Sequence, residues 1–191
     1  MVVAHKNVRK RMSSEQFIAL FKRKVKPSPD AALPVITFSS DVSFHFNGET
    51  VDVIHMPHAH TDGDSIVWFR SSNVIHMGDI FFAGNFPFID ISSGGSIDGL
   101  ISAVNWVLEN ADRNTRIIPG HGSLSTMEDL LAYRNMLIES RSLVRDAIKG
   151  RGDIATIKSE KVLKHLSGRW GNGFIKEDAF VEIIFDSLQR L

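Results

Sequence analysis

Three short segments constrain this chain more than anything else in it: His60 in PHAHTDGD, Asp79 in HMGD and His121 in PGHG. Each places a side chain able to bind a metal just after a β-like run, where a strand gives way to a loop. They lie 19 and 42 residues apart, too far to meet through local structure. Only a fold could converge them.

The hydrophobic pattern agrees. Residues 35–38 are strand-like. Residues 42–46 and 51–56 alternate on either side of Asn47-Gly48, a dipeptide suited to a two-residue hairpin turn. Residues 65–69 and 73–77 are short, almost wholly apolar runs, as strands covered on both faces require. Helical periodicity then takes over. Ile97, Leu100, Ile101, Val104 and Leu108 share one face, residues 116–118 form a last short strand, and Leu130, Leu131, Leu137, Val144 and Ile148 stripe a long helix. Phe180, Ile183, Ile184, Leu188 and Leu191 stripe the final one.

At the start, residues 2–4 read as the end of a strand. Ser13-Ser14-Glu15-Gln16 offers an N-cap and capping box, so Phe17, Leu20 and Phe21 are expected on a helix. Residues 26–34 carry three prolines and read as a loop. Trp170, within GRWGNG, is expected to be a packing anchor.

Composition narrows the class. The 191 residues suit one domain, 43% apolar and 23% charged. A formal net charge of zero points to no nucleic acid and no acidic membrane surface. The basic run Lys6, Arg9, Lys10, Arg11, then Lys22, Arg23, Lys24 and Lys26, reads as a solvated helix face. There is no cysteine, hence no disulfide, thiol nucleophile or thiolate ligand. No apolar run reaches the roughly 18 residues of a membrane span, and no apolar stretch follows the first charges as in a signal peptide. Cytoplasm and periplasm both stay open.

Zinc takes imidazole nitrogen and carboxylate oxygen, and a catalytic site leaves a position open. A loop histidine alone is more often a surface or hydrogen-bonding residue, but Thr61, Asp62 and Asp64 stand beside His60 as groups able to fix a ligand ring. His58 is a rival in the same loop. Gly-Asp is common in turns, so Asp79 draws its weight from position. Glycines on both sides of His121 let backbone approach an ion closely. The other histidines, His5, His45, His55, His76 and His165, read as structural or exposed. Residues 80–96, rich in Phe and Gly, either pack beneath the loop or wall a substrate pocket.

These three motifs, in this order, with a hairpin before and helices between, resemble the metallo-β-lactamase superfamily over the whole chain. The resemblance implies an α+β fold, the αββα sandwich, as a single domain over residues 1–191. It also implies a two-zinc site in which His60 serves one metal, His121 the other, and Asp79 bridges. It further implies a hydrolase whose metal-bound hydroxide attacks a thioester, ester or lactam carbonyl of a small-molecule substrate. The lack of a cysteine ligand, together with Asp79, is closer to glyoxalase II-like members. The family's His-x-His-x-Asp-His motif is absent from residues 1–191. The expectation is therefore a chain that starts after that motif and lacks part of the N-terminal layer. It would hold one zinc or none, its hydrolytic activity would be impaired, and it would pair as a homodimer through an exposed sheet edge. The competing expectation is a non-catalytic remnant of the fold acting as a binding or structural protein.

Overall fold

Asn47 and Gly48 both adopt left-handed backbone, with φ of 54° and 73°, and so close the hairpin between β5 (Asp41–Phe46) and β6 (Glu49–His55). From this hairpin a five-stranded sheet grows by short antiparallel connections to β7 (Ser65–Phe69) and β8 (Val74–Phe82). The fifth strand, β9 (Arg116–His121), lies parallel to β8. Parallel pairing needs a crossover, supplied by α2 (Ile97–Asn110). The structure is a computed structural model describing residues 1–189, apart from the side chain of Arg151. Leu191, assigned by its stripe to the last helix, lies outside the described residues.

Helices cover the sheet. Ser96 caps α2 through Gly99 N–H, and Trp106 of α2 meets Trp68 of β7 edge to face at 6.1 Å. α3 (Met127–Arg151) opens with a reciprocal capping box between Thr126 and Asp129 and packs fully buried Tyr133 against Phe81 of β8 at 4.9 Å. After α4 (Ile154–Ser159) and α5 (Lys164–Trp170), α6 (Glu177–Gln189) buries Phe180, which stacks on Phe86 at 4.7 Å. Trp170 is 5% exposed and packs in the core as expected. Among the described residues no helix is long and apolar enough to cross a membrane.

The N-terminal part differs from its sequence reading. The basic run divides: Lys6, Arg9, Lys10 and Arg11 lie on α1 (Lys6–Met12), which follows β1 (Val3–His5), a strand paired in parallel with β4 (Ile36–Phe38), whereas Lys22, Arg23, Lys24 and Lys26 lie outside any helix. Ser13 ends α1, and the expected helix through Phe17, Leu20 and Phe21 is instead a hairpin of β2 (Gln16–Ile18) and β3 (Arg23–Val25). Isolated helices below about 12 residues are marginal unless an apolar face is buried. Of the three hydrophobic residues only Leu20 reaches the core, while Phe17 and Phe21 remain half exposed. The described residues thus form a mixed α+β fold with one large and two small sheets.

Candidate metal centre

Asp79 sits where β8 stops matching β9. Gly78 takes a φ of 52°, and the ladder slips so that Gly78 to Phe82 of β8 spans only Pro119 to His121 of β9. Pro119 has no N–H to donate, and the unmatched residues of β8 bulge, re-aiming a side chain that regular pleating would place elsewhere. The strand persists beyond the bulge, held by Ala83 N–H to the His121 carbonyl at 2.8 Å. Asp79 and His121 therefore lie within strands, not in the loops after them as their sequence context suggests.

Gly120 permits this approach. A Cβ there would collide with the Asp79 carboxylate and with the Gly78 carbonyl. Because β9 has no side chain at that point, Asp79 lies beside His121, whose Nε2 is 3.4 Å from Asp79 Oδ1. The His121 ring is half exposed and stacks on buried Phe82, with centroids 4.6 Å apart and planes within 17°; Phe174 flanks it at 6.1 Å.

His60 arrives from the loop after β6. That loop is tied to the long connection after β8 by Asp90 N–H to the His60 carbonyl (2.9 Å), Asp62 N–H to Ser93 (2.9 Å) and Ser96 N–H to His58 (2.9 Å). His60 Nδ1 lies 2.8 Å from the Phe88 carbonyl, and its Nε2 lies 3.8 Å from Asp79 Oδ2. A carbonyl only accepts, so Nδ1 carries hydrogen, and in the neutral ring Nε2 presents its lone pair to a carboxylate.

The neighbours of His60 do other things than touch its ring. Asp64 accepts from Thr61 N–H (2.7 Å) and Thr61 Oγ1 (2.9 Å), closing the loop; burial pushes its carboxyl above the ordinary value against those hydrogen bonds. Asp62 receives a bidentate fork from Arg11 of α1, at 2.8 and 2.7 Å. That hydrogen bonding holds the Asp62 carboxyl below its ordinary value. His58 has left-handed backbone, with φ of 56°, and its Nδ1 engages the Gly94 carbonyl at 3.0 Å. Of the two histidines in that loop, His60 is the one facing Asp79.

Residues 80–96 divide their duties. Phe81, Phe82 and Phe86 are fully buried packing, whereas partly buried Phe88 lies edge-on to His60 at 5.4 Å. Behind the sheet, burial, with the Asp79 charge adding, raises the Tyr133 phenol well above its ordinary range. Its hydroxyl faces the Phe82 backbone without reaching full hydrogen-bond geometry. The roles of Arg11 and the Phe88 carbonyl were absent from the sequence reading. A main-chain acceptor leaves no sequence signal, and Arg11 was one cation in a basic run.

The donors fit a divalent cation in type: two imidazole Nε2 atoms turned to opposite oxygens of one carboxylate. They form two pairs around Asp79. Among the described residues, no three His, Cys, Asp or Glu side chains cluster closely enough to enclose an ion.

Comparison with known proteins gives this geometry its context. The B3 metallo-beta-lactamase BLEG-1 superposes with a TM-score of 0.58 at 21% identity, covering 71% of this chain and 64% of its own. A double mutant of the sec-alkyl sulfatase PisA1 superposes at 0.63 and 12% identity, covering 81% of this chain and 26% of its own. The chain thus spans less than two thirds of either relative, and both likenesses speak for the fold. No curated protein matches it. The sequence profile of the metallo-beta-lactamase superfamily matches residues 1–136, a stretch containing the strand-end motifs, the bulge of β8 and the Gly120 approach. The chain belongs to the metallo-beta-lactamase superfamily.

Proposed function

We propose that the His60–Asp79–His121 centre is the zinc site of a hydrolase acting on a small-molecule thioester, ester or lactam. The observation that carries this reading is His60 Nε2 facing Asp79 Oδ2 at 3.8 Å while Nδ1 lies against the Phe88 carbonyl. An imidazole nitrogen and a carboxylate oxygen facing one another are donor atoms of the kinds zinc takes. Asp79 Oδ2 with His60, and Asp79 Oδ1 with His121, are the two pairs of donors. Zinc held there would supply Lewis acidity, making water more acidic and polarising the attacked carbonyl.

The chain's own residues do the positioning. The Phe88 carbonyl orients the His60 ring, Phe82 holds the plane of His121, and Asp79 presents one carboxyl oxygen to each ring. Phe88 and Phe174 are the apolar walls. With an aspartate and no cysteine at the centre, a glyoxalase II-like thioesterase is the preferred substrate reading. A second reading, a non-catalytic binding or structural protein, is favoured by the sparse donor set, since each position has two protein donors and tetrahedral zinc needs four ligands.

Zinc titration by calorimetry, paired with thioester, ester and lactam hydrolysis assays with and without chelator, separates the readings. Weak zinc binding lost in Asp79→Asn, with chelator-sensitive turnover, is expected. Absence of zinc binding, or turnover indifferent to chelator, would overturn the hydrolase reading.

A further inference from the structure

The β2–β3 hairpin is amphipathic in an unusual sense, exposing aromatic rings and cations together. Phe17 and Phe21 are each 50% exposed. Phe17 pairs across the strands with exposed Lys24, and the tip continues into exposed Lys22 and Arg23. Although the chain is neutral, residues 1–26 hold eight Lys and Arg against one acidic residue. That residue, Glu15, is paired with Lys24 at 3.1 Å. Lys22, Arg23 and Lys26 have no ion pair among the described residues.

The hairpin is anchored beside the centre. Ala19 N–H donates to Ser92 Oγ at 3.1 Å, and Leu20 packs on the core. Phe21 lies 5.2 Å from Phe88, which is itself 5.4 Å from His60. Ring contacts therefore run from Phe21 at the hairpin tip through Phe88 to the His60 ring, and exposed Lys22 and Arg23 follow Phe21 directly in the chain. Lys22 takes left-handed backbone, with φ of 47°, a conformation that disfavours lysine and suits glycine, so the tip holds a cation where backbone preference alone would not put one.

We propose that this hairpin is a ligand-binding arm of the centre, taking an amphipathic anion: an acyl compound whose chain lies along Phe21 and Phe88 and whose anionic portion meets Lys22 and Arg23. The inference deepens the hydrolase reading by naming the substrate class, but binding to the arm requires no metal.

The test uses the whole chain in chelator, followed by calorimetry. The probes are octanoyl-coenzyme A, the phosphate-free octanoyl thioester of N-acetylcysteamine, and coenzyme A alone. The variants are Phe21→Ser and the double variant Lys22→Gly with Arg23→Ser, where glycine relieves the left-handed strain and so preserves the turn. Circular dichroism and melting temperature check the fold of each. The double variant should lose roughly tenfold in affinity for octanoyl-coenzyme A, a change equivalent to about 1.4 kcal/mol, and lose nothing for the uncharged thioester. Phe21→Ser should weaken both acyl compounds, and coenzyme A alone should bind less tightly than its octanoyl form.

Equal affinities across the variants, or no binding by the unaltered chain, would overturn the proposal. So would binding to anionic phospholipid vesicles without binding of the soluble probes, which would make the hairpin a membrane contact. Zinc-dependent thiol release is read separately. Binding lost in the variants with no turnover by the unaltered chain sinks the hydrolase reading alone, and turnover indifferent to the variants sinks the arm alone.

Discussion

Gly120 decides how closely β9 approaches Asp79, since any side chain there strikes the carboxylate. Gly120→Ala should push Asp79 away from His121 and weaken zinc binding about tenfold or more, the scale seen when groups that orient ligands are lost. Calorimetric zinc titration checks this, with the melting temperature showing that the sheet persists. Arg11 acts through Asp62, and both side chains are only about a quarter exposed, at 28% and 23%. Arg11→Gln leaves a partly buried carboxylate short of partners and should cost about 1–3 kcal/mol. Because hydrogen bonding to Arg11 lowers the folded-state pKa of Asp62, this stabilisation is complete above the unfolded value of about 4 and fades as pH falls through the folded value. Denaturant midpoints between pH 6 and pH 3 should therefore fall more steeply for the unaltered chain than for Arg11→Gln.

Among the elements, the junction of β1 with β6 rests on two histidines. His5 is 2% exposed and stacks on His55 with ring centroids 3.6 Å apart. Their Nε2 atoms bond the Ser39 and Asp62 carbonyls at 3.1 and 2.9 Å. Burial lowers the His5 pKa, and His55 and Lys6 lower it further, against the Ser39 hydrogen bond and the charge of Asp62. The folded value thus lies below the unfolded value of about 6.5. The contribution of the neutral stack is complete above that pH and lost as pH falls through the folded value. The melting temperature should drop between pH 7.5 and 5.5, and the drop should be smaller in His5→Phe. An equal drop in both would place the sensitivity elsewhere.

At the scale of the whole molecule, β1 and β4 form a two-stranded sheet apart from the large one, and its rim is apolar. Val2, Val35 and Ile36 are 46%, 69% and 45% exposed. Exposed apolar strands with unpaired edges recruit other strands, and a second copy of the chain is the partner expected here. Light scattering across a concentration series should show a dimer that Ile36→Lys shifts to monomer. A monomer at all concentrations would remove the expectation.

Elements whose signals are local were legible in the amino-acid order alone. Asn47-Gly48 dictated its hairpin because those two residues tolerate positive φ, and the stripes of α2, α3 and α6 follow from the 3.6-residue period. The same order also marked His60, Asp79 and His121 as residues worth watching and tied them to a superfamily. Tertiary structure decided the rest. Phe17, Leu20 and Phe21 fit a helix or a hairpin equally well by spacing, and only the burial available to Leu20 alone distinguishes them. The bulge at Gly78 depends on pairing with a strand some 40 residues away. The grip of Phe88 on His60 is a main-chain contact with no side-chain code. That Asp79 stands between two imidazoles is likewise a property of the sheet, because a distance across strands is set by packing and cannot be written into any one segment.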